Sequence, residues 1–309
     1  MRLLLAIEPT DTSGVVARQV AARPWPDGTV ARVLTVIEYA AVPSEVWKEA
    51  DGDIEFVRRA MQTKAEDVVA RTANELTAAG LLAEGFILEG DPRTEIVDEA
   101  KERLADFIFI RSHVFHSITR WLLGSVAKTV LREAPCSVEI VRLASDETVL
   151  RGRRGMKILL ATDGSEFSKA AASSVAGRPW PENSEVNVIS AADPFGFSVE
   201  DERVPVEEPI GESDGPREVY VTREERAVRE AKEILAHAGL KLTGAVVGGY
   251  PKAAIVDEAK VWGADLVVVG AHGRRGLERI LMGSVSEAVA MHAHCSVEVI
   301  RSPVLWGED

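Results

Sequence analysis

Short runs of apolar residues alternate with longer helical patterns along the whole chain. The apolar runs are LLLAI, VARVLTVI, EGFILE, FIFI and SVEIV in the first half, and KILLA, EVNVIS, TGAVVG, LVVVG and SVEVI in the second. Most of them are almost continuously apolar, which is typical of strands buried on both faces of a sheet. The pattern therefore predicts an α/β fold, with helices on both faces of a mainly parallel sheet.

The second half of the chain repeats the first half. The segment MRLLLAIEPTDTSGVVARQVAARPW, from Met1, matches MKILLATDGSEFSKAAASSVAGRPW, from Met156. Further on, GDPRTEIVDEAKERLADFIFIRSH, from Gly90, matches GYPKAAIVDEAKVWGADLVVVGAH, from Gly249. Two copies of this length indicate tandem domains rather than a solenoid. We therefore predict two doubly wound domains, each with a five-stranded, mainly parallel sheet.

The repeat sets the boundaries of the predicted domains. The first domain comprises residues 1–145, the second comprises residues 156–309, and a polar linker spans residues 146–155. The second copy also contains an acidic stretch with several Pro and Gly residues, at positions 194–219. Its composition favours a solvated, mobile tether. A lid over a site in the second domain is the alternative.

Composition and charge restrict the classes of partner. The 309 residues carry a formal net charge of -13, which argues against a broad surface for nucleic acid or for an anionic membrane. The first apolar run ends at Glu8 and is too short for a signal peptide or a spanning helix. Cys136 and Cys295 lack metal-ligand spacing and occupy equivalent places in the repeat, so we expect buried thiols, with a disulfide as the alternative. A cytoplasmic location follows from these features.

The stretch GAHGRRGLERILMGSVS contains small residues at its start and near its end. It begins at Gly270, directly after an apolar strand, and ligands of such folds bind at the carboxyl ends of strands. Gly270, Gly273 and Gly283 would let the backbone approach a phosphate closely. We predict that Ser284 caps the following helix and that Glu287 completes a capping box, a helix start that suits phosphate. The alternative is an ordinary glycine-rich turn before a capped helix.

The spacing Gly-x2-Gly-x9-Gly-Ser in this stretch resembles the ATP-binding signature of the universal stress protein family. The segments LLATDGSEFS, GADLVVVGAHGRRGL and MGSVSEAVAMHAHCSVEVIR resemble further parts of that family, and the resemblance covers nearly the whole chain in two copies. It implies a nucleotide-binding α/β fold, ATP as the ligand with magnesium as a candidate companion, and dimerisation through the last strand. Here the last strands SVEIV and SVEVI are expected to pair within one chain as a pseudo-dimer, which would assemble further into a homo-oligomer.

The resemblance also implies which residues of the second domain hold the nucleotide. Asp163, at the end of the first strand, would accept a ribose hydroxyl or assist a metal ion. The backbone of Ala191, at the end of the second strand, would meet adenine. The ribose and the phosphates would lie against the glycine loop and the start of the next helix, at Gly270, Gly273, Gly283, Ser284 and Val285. His272 would contact phosphate or fill the turn.

The first copy departs from this signature while keeping Gly124 and Ser125 at its helix start. The first copy has Glu8 in place of Asp163, Pro9 in place of Gly164, Arg111 in place of Gly270, Val114 in place of Gly273 and Lys128 in place of Glu287. Arg111 and Val114 place a Cβ atom at both early glycine positions of the loop, and Pro9 lacks a backbone donor. We therefore expect that the first domain does not bind ATP in the family's way, with an altered anion site as the alternative.

The leading functional hypothesis is a cytoplasmic stress-response protein that binds ATP in its second domain and acts as a regulatory or binding protein. We assign no catalytic residues and no metal site, because no nucleophile with a neighbouring base stands out. The enzymatic alternative is slow ATP hydrolysis or autophosphorylation at Ser284, assisted by Asp163 and a divalent ion. The sequence is also compatible with a nucleotide-free scaffold, and with a site for a different nucleotide such as a cyclic one.

Overall fold

A computed structural model of the chain describes residues 1–9, 11, 13–42, 44, 47, 50–51, 53–112, 123–142, 155–192, 204–208, 217–273 and 282–301. The strands of the first half are β1 (Arg2–Ala6), β2 (Val30–Ile37), β3 (Leu82–Glu89), β4 (Phe107–Arg111) and β5 (Ser137–Val141). The helices of the first half are α1 (Val15–Ala21), α2 (Ile54–Ala78), α3 (Pro92–Glu102) and α4 (Ser125–Glu133), with a short 3-10 turn at Tyr39–Ala41.

The second half follows the same order, with two additional strands. Its strands are β6 (Lys157–Ala161), β7 (Glu185–Ala192), β8 (Val204–Glu208), β9 (Arg217–Val221), β10 (Lys241–Gly248), β11 (Leu266–Gly270) and β12 (Ser296–Ile300). Its helices are α5 (Glu166–Ala176), α6 (Arg223–Leu235), α7 (Pro251–Trp262) and α8 (Ser284–His292).

The five predicted strands of each half join into one continuous ten-stranded sheet. The strand order is β10-β7-β6-β11-β12-β5-β4-β1-β2-β3, and every neighbouring pair is parallel except β5 and β12. The antiparallel pairing of β5 with β12 lies at the centre and relates the two halves by a pseudo-twofold axis. The prediction that the last strands pair within one chain is therefore confirmed.

Two apolar cores cover the two faces of this sheet. Leu3 and Leu5 point into one core, whereas Leu4 points into the other, as alternate residues of a strand must. The helices α3, α4, α7 and α8 contribute to the core around Leu4, and α1, α2, α5 and α6 contribute to the opposite core. Both cores contain residues from both halves, so the apolar interior continues across the β5–β12 junction and confirms the predicted α/β architecture.

Four buried charges lie at the β5–β12 junction. Glu139 and Glu298 face each other in the strand register, and neither is exposed to solvent. Arg23 donates to both carboxylate oxygens of Glu139, at 2.6 and 2.7 Å, and to Glu298 at 3.1 Å. Arg178 donates to both oxygens of Glu298, at 3.0 and 2.6 Å. The two pairs occupy equivalent places in the repeat, so the cluster follows the pseudo-twofold axis.

The two carboxylates differ in their electrostatic environment. Burial raises the pKa of Glu139 to about 7, because Arg23 offsets the desolvation only in part and Glu298 adds a like charge. Burial acts in the same direction on Glu298, but the attraction of Arg178 and Arg23 outweighs it and holds the pKa of Glu298 below its usual value. The two carboxylates therefore titrate as an interacting pair in which Glu139 accepts a proton more readily than Glu298.

Arginines at the ends of the central strands extend across the junction in both directions. Arg142 donates to the carbonyl oxygens of Cys295, at 3.2 Å, and Ala290, near the end of α8. Arg301 donates to the carbonyl oxygens of Leu131 and Arg132 in α4, at 3.0 and 2.8 Å. Cations suit the carbonyl end of a helix dipole. Each half thus supplies a cap for the last helix of the other.

The acidic stretch contains structure that the sequence analysis did not predict. β8 and β9 pair as a two-stranded antiparallel sheet within residues 194–221, where we expected an unstructured tether. Their sequences, VPVEE and REVYV, carry strand-forming residues at alternate positions, which is the pattern of a two-stranded hairpin. The prediction rested on the acidic, Pro-rich composition of the whole stretch and therefore missed the alternation in these two short segments.

Candidate functional site

Three neighbouring parallel strands of the second half end at one edge of the sheet. β6 lies between β7 and β11, so the residues that follow these strands meet at this edge. Asp163 lies two residues after β6, and Gly270 ends β11. Ala191 lies near the end of β7, opposite Val247 of β10, and is partly buried. The fold therefore places the predicted adenine, ribose and phosphate positions along a single edge.

Asp163 belongs to a turn that is held by several hydrogen bonds. Its Oδ1 accepts from the Ser165 amide at 3.0 Å, and the Thr162 hydroxyl accepts from the Gly164 amide at 3.2 Å. Gly164 has a φ of 77°, a conformation that glycine adopts without strain. Ser165 then caps α5 by accepting from the Ser168 amide at 3.3 Å. The turn thus fixes a partly buried carboxylate at the sheet edge.

Gly273 joins the glycine loop to this turn. A Cβ atom at position 273 would lie 2.8 Å from Oδ2 of Asp163, so a larger residue would displace the carboxylate. Asp163 and Gly273, which the sequence analysis assigned to one nucleotide site, are therefore in direct proximity.

Gly270 and Gly283 are required by close packing of the protein itself. A Cβ atom at position 270 would lie 2.6 Å from the backbone carbonyl carbon of Phe167, at the start of α5. A Cβ atom at position 283 would lie 2.9 Å from the carbonyl oxygen of Ala271, which also accepts from the Gly283 amide at 2.8 Å. Close packing against α5 and against the loop itself thus explains these two glycines, whether or not a phosphate approaches the loop.

The helix α8 begins differently from the prediction. Its N-cap is Gly283, with φ −64° and ψ 139° and no side-chain cap, and Ser284 is the first helical residue. The predicted capping box of Ser284 and Glu287 is therefore wrong, because the helix starts one residue earlier than expected. The Ser286 hydroxyl donates to the Gly270 carbonyl at 2.6 Å and ties the first turn to the loop.

This helix start has features that suit an anion. Ser284 is exposed and Val285 is partly buried. The amides of the first helical turn have no acceptor within the helix, and the dipole places positive partial charge there. Gly283 carries no side chain in front of these amides. Ser284 and Val285 therefore lie where backbone donors can bind a phosphate.

His272 lies inside the turn rather than at its surface. Its side chain is buried, and its ring centroid lies 4.8 Å from that of Phe167. This position fits a residue that fills the turn better than one that contacts phosphate.

The equivalent edge of the first half is occupied by an arginine side chain. Nη1 of Arg111 donates to the Ser13 hydroxyl at 3.0 Å and lies 3.4 Å from Asp11 Oδ1. Asp11 is buried, and its carbonyl oxygen accepts from Arg71 at 2.6 Å. Because Arg111 takes the place of Gly270, its guanidinium extends over the turn that follows β1. Val114 and the rest of residues 113–122 lie outside the described residues.

The two cysteines are buried as predicted. Cys136 and Cys295 are free thiols that pack in the same apolar core, so the alternative disulfide is not formed. Burial raises the pKa of each thiol to about 12. Both groups are therefore protonated and unreactive at neutral pH.

The described ranges contain neither a cluster of metal ligands nor a membrane-spanning helix. No group of three or more His, Cys, Asp or Glu residues in the described part of the chain could hold a metal ion. Among the helices that the structure describes, none is long and apolar enough to cross a membrane.

Comparison with protein families identifies the class of this chain. A sequence model of the universal stress protein family matches residues 1–142 and again residues 156–301. The chain therefore belongs to the universal stress protein family and is of the tandem type.

Individual relatives agree with this assignment. A universal stress protein of Methanocaldococcus jannaschii is 34% identical over 147 residues, which are 48% of this chain and 82% of the relative. A universal stress protein of Mycobacterium tuberculosis is 28% identical over 256 residues, which are 83% of this chain and 79% of the relative. The crystal structure of a universal stress protein from Archaeoglobus fulgidus superimposes with a TM-score of 0.66, covers 97% of this chain and 98% of the other, and shares 20% identity. This last similarity concerns the fold.

Proposed function

We propose that the second half of the chain binds ATP at the carboxyl edge formed by β6, β7 and β11. The observation that carries this proposal is the path of the glycine loop, which brings position 273 against Asp163 and position 283, the cap of α8, against Ala271 and His272. A carboxylate beside a row of helix-start amides combines an acceptor for sugar hydroxyls with donors for phosphate. The protein would act in the stress response as a regulatory or binding protein whose surface depends on the bound nucleotide.

The residues present fit the parts of ATP. The amides of Ser284 and Val285 would bind phosphate oxygens, and the Ser284 hydroxyl would add a further donor. Asp163 would accept a ribose hydroxyl, and the backbone of Ala191 would meet the adenine ring. Among the described residues, Asp163 is the carboxylate placed against the glycine loop, and a magnesium ion would take its other ligands from phosphate and water.

The first half would not bind ATP in this way. The Arg111 guanidinium bonds to Ser13 and Asp11 across the turn that corresponds to the ribose side of the second site. Its positive charge is thereby directed to a protein carboxylate. This half would serve as a fixed partner in the pseudo-dimer.

A nucleotide-free scaffold is the second candidate function, and one observation favours it. Gly270 and Gly283 contact Phe167 and Ala271 so closely that packing alone requires glycine. Part of the signature is therefore consistent with a purely structural role. Slow hydrolysis and autophosphorylation at Ser284 are secondary to both candidates, because no described contact pairs a base with this hydroxyl.

A substitution at Ser284 separates ATP binding from a scaffold role without disturbing the packed glycines. In Ser284→Asp a carboxylate would repel phosphate, while an acidic residue in the first helical turn supports the helix. Ser125→Asp is the matched control, since Ser125 is exposed at the same place of α4 in the first half. We expect Ser284→Asp to weaken ATP binding about tenfold or more, by calorimetry, with an unchanged melting midpoint.

The outcomes of this experiment distinguish the candidates. If Ser284→Asp and Ser125→Asp both bind ATP as the unaltered protein does, the proposed site is wrong. If the unaltered protein shows no heat of binding and no rise in melting midpoint at saturating ATP, the scaffold replaces the proposal. A gain in mass of one phosphate after incubation with ATP and magnesium would instead favour autophosphorylation.

The proposal also covers where the protein acts, which is the cytoplasm, and what it associates with. Two buried free thiols suit the reducing cytoplasm. The net charge of -13 disfavours a nucleic acid partner. Assembly into a homo-oligomer would use a surface other than β5 and β12, because these strands pair with each other inside the chain.

A further inference from the structure

One ion pair across the junction involves the helix start of the proposed nucleotide site. Glu287 lies in the first turn of α8, and Arg132 lies in the last turn of α4, in the other half. Arg132 Nη2 is 2.5 Å and Nε is 3.1 Å from Glu287 Oε1. Arg301 donates to the Arg132 carbonyl at 2.8 Å and fixes the backbone that carries this arginine. The first half thus directs a cation to the first turn of α8.

This ion pair breaks the pseudo-twofold symmetry of the junction. The charged contacts of the central strands recur in both halves, with Arg23 matching Arg178 and Arg142 matching Arg301. The residues that correspond to Glu287 and Arg132 in the repeat are Lys128 and Met291, which cannot form such a pair. Among the described contacts, the cation that crosses the junction to a helix start therefore reaches the half that keeps the glycine signature.

The electrostatic role of this arginine follows from the position of its partner. An uncompensated carboxylate in the first turn would repel a polyphosphate that approaches the same helix start. Arg132 neutralises Glu287 and holds its carboxylate on the side of α4. Lys128 carries no negative charge, so the helix start of the first half needs no such compensation.

We propose that Arg132 is a positioning residue of the second nucleotide site, through which the first half raises the affinity of the second half for polyphosphate. This inference rests on the proposed function and gives it a selectivity: nucleoside triphosphates are favoured over monophosphates. The first half, with its own edge occupied by Arg111, would thereby contribute to binding without holding a nucleotide.

The test compares Arg132→Met, which introduces the residue found at the matching position 291, with Arg93→Met as control. Arg93 is an exposed arginine of the first half that pairs with Asp91 rather than with α8. We expect Arg132→Met to weaken ATP binding about three- to tenfold, ADP binding less and AMP binding least, with smaller losses at high salt. Arg93→Met should leave all three dissociation constants unchanged.

A second variant distinguishes charge compensation from a structural effect. Because Arg132 acts by neutralising a carboxylate, adding Glu287→Gln to Arg132→Met should restore the affinity for ATP. The pair is partly exposed, so both variants should fold with the melting midpoint of the unaltered protein.

The results separate this inference from the proposal beneath it. If the unaltered protein binds ATP and Arg132→Met binds it equally well, the inference fails and the proposed function stands. The inference also fails if AMP and ATP lose the same factor, or if Glu287→Gln does not restore binding. If the unaltered protein binds no nucleotide, the proposed function fails and this inference fails with it.

Discussion

Removing one charge from the buried cluster should destabilise the whole fold. Arg178 is 8% exposed, and it donates two hydrogen bonds to Glu298, which is not exposed at all. The guanidinium carbon of Arg178 also lies 4.7 and 4.9 Å from the ring centroids of Phe107 and Trp180. Arg178→Met therefore removes the charge, the hydrogen bonds and these cation–π contacts, and leaves an apolar side chain of similar length in the same place.

The expected loss of stability is about 3–5 kcal/mol, the usual cost of leaving one partner of a buried ion pair uncompensated. After the substitution, Arg23, at 3.1 Å, is the one cation that the described residues leave beside Glu298, and Arg23 must also neutralise Glu139. A contact between methionine sulfur and the aromatic rings returns about 0.3–1.5 kcal/mol at most. Since a domain is stable by about 5–15 kcal/mol, the loss is a large fraction of the total.

Urea denaturation followed by circular dichroism measures this loss. We expect a lower midpoint with an unchanged slope, whereas the exposed control Arg93→Met should leave the midpoint unchanged. Replacing all four charges by Met and Leu should restore the stability, because apolar side chains of similar size remove the desolvation cost. A loss below about 1 kcal/mol for Arg178→Met would refute the reasoning, since it would mean that the cluster is hydrated.

Three further predictions concern Glu139, Arg111 and the two cysteines. Folding raises the pKa of Glu139 to about 7, so the folded state binds the proton more tightly than the unfolded chain does. The free energy of unfolding should therefore fall as pH rises from about 4.5 to 7. In a series of urea titrations at different pH values, Glu139→Gln should abolish this fall. Arg111→Ala should cost less than about 1 kcal/mol in the same assay, because the side chain is one-third exposed. It should leave the number of ATP molecules bound per chain unchanged, because Glu8, Pro9 and Lys128 still depart from the residues of the second copy; a second equivalent would contradict this prediction and show that Arg111 alone keeps the first half empty. Cys136 and Cys295 should resist a thiol reagent in the folded protein and react when it is unfolded in urea; rapid labelling of the native chain would show that they are not buried.

The architecture could be predicted because two independent patterns agree. Continuous apolar runs indicated buried parallel strands, and the repeat required that both halves share them. The charged cluster was missed, although its signal is present: Glu139 and Glu298 each interrupt an apolar strand, and Arg23 and Arg178 recur in the two copies. Pairing these residues requires knowledge of the strand register across the junction, which no local pattern contains.

The start of α8 shows how tertiary contacts decide between local alternatives. Gly283 and Ser284 are both acceptable N-cap residues, and the capping-box pattern favoured Ser284. The hydrogen bond from the Gly283 amide to the Ala271 carbonyl holds Gly283 at the cap, and the Glu287 carboxylate pairs with Arg132 instead of completing a capping box. The predicted site itself depends less on this register, because the amides of the first turn remain open in either case.

The most direct test of the central claim is to count the nucleotide that the purified protein releases on denaturation, followed by ATP titration of the nucleotide-free protein. The account predicts about one ATP per chain, and a single class of site whose occupation raises the melting midpoint. Two ATP molecules per chain would contradict the assignment of a silent first half. No released nucleotide, together with no shift of the midpoint at saturating ATP, would contradict the claim that the second half is a nucleotide site.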